Sequence, residues 1–95
     1  MIVEGHEVTA EYYGSAHTVV VGSGAGGAVT AAILAEAGVD VVLLEEGGNH
    51  GARDFNQRQD EMYRKLYRGG GTQLTEDGMI NVLQGSTLGG STVIN

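Results

Sequence analysis

The chain has 95 residues, of which 41% are hydrophobic and 17 are glycine, and its formal net charge is −7. A chain of this length forms at most one small domain. The negative charge argues against a nucleic-acid partner, because binding to phosphates needs a basic surface. Cysteine is absent, which excludes disulfides, thiolate metal sites and cysteine nucleophiles.

The N-terminal half carries no positive charge, since residues 1–52 contain seven carboxylates and no Lys or Arg. Secretory signals and transit peptides need basic residues, so we expect a cytoplasmic protein. The apolar runs are far shorter than the ~20 residues that span a bilayer, so we expect no membrane partner. His6, His17 and His50 lie far apart without ligand spacing, and no metal site is predicted.

The first half of the chain predicts a strand, a helix and a second strand. Residues 1–17 show no sustained period and are interpreted as a leader, either loop or short edge strand. Thr18 to Val21 is a β-branched run typical of a strand buried on both faces. Residues 28–37 favour a helix that ends at a glycine, and residues 39–44 form a second buried strand.

The second half predicts a helix, a hairpin and a loop. Apolar side chains recur at helical spacing over residues 53–68, which indicates an amphipathic helix. Residues 73–75 and 79–83 flank an Asp-Gly pair, a strong hairpin signal. Residues 85–95 are rich in Gly, Ser and Thr and read as a loop. We therefore treat residues 18–95 as one structural unit.

A glycine-rich loop follows the first strand and supplies the pattern G-x-G-x-x-G as Gly22, Gly24 and Gly27. The first glycine permits a tight turn, the second lets the backbone approach a pyrophosphate, and the third allows the helix to pack closely on the strand. The phosphates would lie at the helix N-terminus, where free N–H groups favour anions. Dinucleotide binding is therefore predicted for the whole loop, which also includes Ser23, Ala25 and Gly26. The alternative is a purely structural glycine turn.

An acidic residue at the end of the second strand fits the same interpretation. Glu45 is placed where a dinucleotide-binding unit carries the carboxylate that holds the adenosine ribose, about 20 residues after the first glycine. We expect it to accept hydrogen bonds from both ribose hydroxyls. A carboxylate there would repel a 2′-phosphate, which makes NADP the least favoured dinucleotide. The alternative for Glu45, and equally for Glu46, is a solvated strand end.

The pyrophosphate motif alone does not separate NAD from FAD. A second glycine loop, residues 85–95, makes the distinction. The stretches VVVGSGAGG, VVLLEEGG and GSTLGGSTVIN together resemble the glucose-methanol-choline (GMC) oxidoreductases. The resemblance covers residues 18–48 and 69–95. It implies that the second loop runs along a bound FAD, and the residues implied to contact that cofactor are Gly85, Gly89, Gly90, Ser91 and Asn95. Glycines would allow main chain to lie against a flat ring or phosphate.

Two positions depart from the family pattern. Ser86 stands where the family often has Arg, Lys or Asn, so one contact near the cofactor is either absent or supplied elsewhere. Ile94 stands where members that attach FAD covalently can carry His. We therefore expect FAD to be bound without a covalent link.

The resemblance implies an FAD-dependent oxidoreductase that oxidises a CH–OH group by hydride transfer to flavin. In the family the catalytic base lies in the C-terminal half, so no catalytic residue is predicted here. The fold class expected is α/β, an incomplete Rossmann-like unit of a doubly wound parallel sheet, which the remainder of the enzyme would complete. We thus expect an inactive fragment. Two alternatives stay open, namely an NAD-binding or two-dinucleotide reductase domain and a non-catalytic nucleotide-binding module.

Overall fold

The computed structural model describes residues 1–95 and is organised around one β-α-β unit. Strand β1 (Thr18–Val21) is followed by helix α1 (Ala25–Glu36) and strand β2 (Val41–Leu44). The two strands pair in parallel and in register along their whole length. This arrangement confirms the α/β class and the parallel unit predicted from the sequence.

The boundaries of α1 and β2 differ slightly from the predicted ones, for reasons visible in the backbone. Helix α1 begins three residues early because Gly24 is extended and caps it, so the two following glycines join its first turn. At the other end Gly38 adopts a positive φ of 81°. The Val39 amide then donates to the Leu34 carbonyl at 3.0 Å. This bond closes the helix and delays the start of β2.

The predicted helix over residues 53–68 is wrong in extent. Helix α2 covers only Gln59–Leu66, and a separate 3-10 turn forms at Ala52–Asp54. Gln57 has a φ of 64°, a left-handed conformation that a continuous helix does not allow. After α2 the chain becomes extended at Tyr67, which forms an antiparallel bridge with Gly85. Pairing with the second glycine loop therefore ends the helix.

The predicted hairpin is present as a turn with little strand structure. Leu74 and Asn81 form an isolated antiparallel bridge, and Thr75 donates its amide to the Ile80 carbonyl at 2.9 Å. Gly78 supplies the positive φ of 71° at the turn. Most of the apolar side chains beside the turn are exposed, so no packing against a second layer extends the pairing. The loop at residues 85–95 contains one 3-10 turn, Gly90–Thr92.

Few side chains are buried, and most buried residues are small. The buried positions are Leu66, Gly71, Ser23 and Thr87. Helix α1 covers one face of the sheet, but the opposite face, which includes Val21 at 82% exposure and Leu44 at 52%, lies open. The strands predicted to be buried on both faces are thus covered on one face within this chain. Neither helix has the length and apolar character of a membrane span.

The close approach of α1 to the turn after β1 depends on Gly27. A Cβ atom built there would lie 1.9 Å from the carbonyl oxygen of Gly22, whereas one built at Gly26 would meet nothing within 4 Å. This contrast agrees with the packing role assigned to the third glycine of the motif.

We predict that Gly27→Ala lowers the free energy of unfolding by roughly 2 kcal/mol or more, because the backbone must move apart. Gly26→Ala, in the same helical turn, should be neutral or stabilising by up to about 1 kcal/mol because alanine favours helix. Urea denaturation of the nucleotide-free proteins measures both changes. Equal stabilities of the two variants would contradict the assignment.

Candidate nucleotide-binding site

The first glycine loop presents free amide groups at the N-terminus of α1. Gly22 takes a φ of 90° and its amide donates to the Leu44 carbonyl at 2.7 Å, which fixes the turn at the end of both strands. The four amides that follow Ser23, those of residues 24–27, donate to no acceptor within the chain. Together with the helix dipole they favour an anion at this position.

The second glycine loop docks against the segment that follows β2. The amide of Leu88 and the hydroxyl of Thr87 each donate to the Gly48 carbonyl at 3.0 Å. On the other side, the Ser86 amide donates to the Leu66 carbonyl at 2.7 Å. Thr87 is completely buried by these contacts. The loop is therefore held between the end of β2 and the end of α2.

The two glycine loops meet. A Cβ atom at Gly90, which has a φ of 64°, would lie 2.8 Å from the Cα atom of Gly24. The Gly89 amide donates to the Ser23 hydroxyl oxygen at 2.9 Å. Residues 66 positions apart in sequence are thus in direct contact.

The carboxylate of Glu45 lies against this junction and is well provided with donors. Its Oε2 atom accepts hydrogen bonds from the Ser23 amide at 2.8 Å and hydroxyl at 2.6 Å, and Oε1 accepts from the Gly47 amide at 2.9 Å. Partial burial raises the pKa of Glu45, but the hydrogen bonds from Ser23 and Gly47 outweigh it and bring the pKa below the ordinary 4.5. The carboxylate is therefore ionised at neutral pH.

These bonds limit what Glu45 can do for a ribose. An ionised carboxylate offers about four acceptor positions. Ser23 and Gly47 fill three of them. This leaves about one acceptor position open to a further donor.

The neighbouring Glu46 is paired rather than merely solvated. Its Oε1 atom accepts a hydrogen bond from Nε of Arg68 at 2.9 Å, and both side chains are about half exposed. Sequence reasoning missed this pair, because Arg68 is the last residue of the predicted helix and lies 22 residues from Glu46. No local spacing could have indicated it.

The remaining predicted residues of the second loop have different surroundings. The Gly85 amide donates to Oγ of Ser91 at 3.0 Å, a bond that closes the loop on itself. Asn95 is exposed. Gly47 was not predicted, yet a Cβ atom there would lie 2.1 Å from the amide nitrogen of Thr87. The sequence EEGG gives no indication of this contact, because the contact depends on a loop about 40 residues further along the chain.

A family model described as an NAD(P)-binding Rossmann-like domain matches residues 20–76, which is more than half of the chain. The chain belongs to this Rossmann-like family. The match includes the first glycine loop, β2 and α2, and it ends before the second glycine loop. Most of the parallel β-α-β unit described above lies within the match.

Several curated relatives are similar to this chain in sequence. The long-chain-alcohol oxidase FAO1 of Arabidopsis thaliana is 38% identical over 100% of this chain and 13% of its own length. A second oxidase of that plant, FAO4B, is 46% identical over 81% of the chain and 10% of its own length. An uncharacterized GMC-type oxidoreductase of Mycobacterium tuberculosis is 46% identical over 84% of the chain and 13% of its length. The resemblance to GMC oxidoreductases is confirmed, and the chain spans about an eighth of these relatives.

We predict that Glu45 makes stability depend on pH in the acid range. Because its pKa is lower in the folded state, its contribution is present above the unfolded value of 4.5 and is lost as pH falls through the folded value. Urea denaturation of wild type and Glu45→Gln at pH 7 and pH 3 measures this. The difference between the two proteins should shrink at pH 3, and a difference that is the same at both pH values would contradict the assignment.

We predict that Gly47→Ala displaces the second glycine loop, because the added methyl group collides with the backbone at residues 86 and 87. The loss of stability should be roughly 1–3 kcal/mol. Gly51→Ala is the matched control, since a Cβ atom there meets nothing within 4 Å. Thermal unfolding of both variants is the measurement, and a Gly47→Ala protein as stable as the control would count against the packing described.

Proposed function

We propose that this segment binds FAD in a flavin-dependent oxidoreductase that oxidises the CH–OH group of an alcohol. The observation that carries the proposal is the contact between the two glycine loops. A nucleotide on the first loop would lie beside the second, because Gly24 and Gly90 touch. A dinucleotide extends beyond its pyrophosphate, so a second main-chain surface at this point suits a long cofactor.

The residues present fit such a cofactor by their chemistry. The free amides of residues 24–27 would bind the pyrophosphate, and Glu45 would bind one hydroxyl of the adenosine ribose. The second loop would hold the flavin half through Gly89, Gly90, Ser91 and Asn95. In the absence of any Lys or Arg in residues 1–52, the phosphate charge would be met by main-chain donors and the dipole of α1.

The second glycine loop, which lies outside the family match, favours FAD over NAD(P). The second loop is not part of the matched Rossmann-like residues, yet it packs on the first loop, and several relatives are named alcohol oxidases or GMC-type oxidoreductases. Glu45 disfavours NADP because its ionised carboxylate would repel a 2′-phosphate. Bound FAD supplies the hydride acceptor for alcohol oxidation. We assign no catalytic base to this chain, and Ile94 supports binding without a covalent link.

The open face of the sheet supports a larger enzyme. Val19, Val21, Val42 and Leu44 form an exposed apolar surface. A doubly wound sheet is covered on both faces, so we propose that the remainder of the enzyme packs there. The same relatives, of which this chain spans 10–13%, have the length to provide it.

The description of the family model supports a second candidate, an NAD-binding reductase domain. In that hypothesis the first loop and Glu45 bind the dinucleotide in the same way, but the second loop contacts no cofactor. The absorption spectrum of the purified full-length protein distinguishes the two candidates, because only a flavoprotein shows the flavin bands.

Gly24→Val tests the proposed site without disturbing the fold. Gly24 has a φ of −64° and a Cβ atom there would meet nothing within 4 Å, so the backbone accommodates a Cβ atom, and the valine side chain would occupy space proposed for the pyrophosphate. We expect FAD affinity to fall at least about tenfold, a loss of about 1.4 kcal/mol. Isothermal titration of the deflavinated full-length protein measures the change.

The control is Gly5→Ala, at an exposed position in the leader where a Cβ atom also meets nothing within 4 Å. It should bind FAD as wild type does, and the two variants should melt at the same temperature. An unchanged FAD affinity in Gly24→Val, or a wild-type protein that binds NAD and not FAD, would contradict the proposal. Acid precipitation should leave the yellow colour in solution.

A further inference from the structure

Ser23 lies at the point where three segments meet, and its side chain is 2% exposed. Its hydroxyl has one proton and an oxygen that can accept hydrogen bonds. The ionised carboxylate of Glu45 only accepts, so the hydroxyl proton must point to Oε2 at 2.6 Å. The Gly89 amide only donates, so the oxygen accepts from it at 2.9 Å. The direction of both bonds is therefore fixed.

These bonds leave Ser23 with nothing to offer a phosphate. Its amide also donates to Glu45, at 2.8 Å, and its hydroxyl proton is used in the same way. The sequence placed Ser23 among the residues that contact the cofactor, because it lies inside the glycine motif. Its surroundings indicate a different task.

The bond from Gly89 to Ser23 is also the last hydrogen bond along the chain that joins the second loop to another element. Thr87 and Leu88 are held by Gly48, and Gly89 is held by Ser23. The hydrogen bonds of residues 90–95 stay within the loop. The Ser23 hydroxyl is therefore the last polar group outside the loop to which the loop is bonded before its final residues.

We propose that Ser23 is a positioning residue that couples the carboxylate of Glu45 to the second glycine loop. Its hydroxyl sets where residues 89–95 lie relative to Glu45, so the two halves of the cofactor site form together. The part of this inference that concerns flavin rests on the proposed function, whereas the coupling between Glu45 and the second loop stands on the three hydrogen bonds.

The test compares wild type with Ser23→Ala and Thr30→Ala in the full-length protein. Thr30 is the matched control, because its exposed hydroxyl donates only to the Gly26 carbonyl of its own helix, at 2.8 Å. Amide hydrogen exchange of residues 85–95 is measured without nucleotide. Affinities are then measured for FAD and for ADP, which carries the adenosine half alone.

In Ser23→Ala we expect exchange at Gly89 to become about tenfold faster, the upper end of what one lost hydrogen bond gives. FAD affinity should fall about tenfold because the second loop is released, while ADP affinity should change less than about twofold because Glu45 keeps its hydrogen bonds from the Ser23 and Gly47 amides. Thr30→Ala should match wild type in all three measurements.

Unchanged exchange of residues 85–95 in Ser23→Ala would overturn the proposal. Equal losses of ADP and FAD affinity would overturn it too, because a merely structural role would weaken both ligands alike. A wild-type protein that binds no FAD is a distinct result, which refutes the proposed function. The exchange measurement then still decides whether Ser23 positions the loop.

Discussion

The structure depends on a small polar junction in which Glu45 accepts hydrogen bonds from Ser23, and Ser23 accepts one from Gly89. A hydrogen bond to a charged group contributes about 1.5–3 kcal/mol, more than a neutral one, and the cost of leaving a buried donor unpaired is similar. Because this chain buries few apolar side chains, such bonds contribute an unusually large share of the stability of its tertiary structure. They join the first loop, the end of β2 and the second loop.

The junction works because glycines let the main chain approach closely around it. Gly27 brings α1 against the turn after β1, and Gly47 admits the second loop beside the end of β2. Gly24 and Gly90 then meet with no side chain between them. Gly27, Gly47 and Gly90 each remove a steric barrier at a contact between main-chain segments, whereas a Cβ atom at Gly24 would meet nothing within 4 Å.

Much of this could be predicted from the sequence, and the failures have physical causes. The β-α-β unit follows from local signals, namely the β-branched run ending at Val21 and the alanine-rich helix. The extent of α2 does not follow from local signals, because the left-handed Gln57 and the pairing of Tyr67 with Gly85 override helical periodicity. The role of Ser23 and the pair of Glu46 with Arg68 were also inaccessible, since both depend on contacts between residues far apart in sequence.

The central claim is that the two loops form one site for one flavin nucleotide. A crystal structure of the full-length protein grown with FAD tests it most directly. The account predicts pyrophosphate oxygens within hydrogen-bond distance of the amides of residues 24–27, with the flavin half against residues 89–95. A nucleotide that contacts the first loop while the second loop lies away from it would contradict the account.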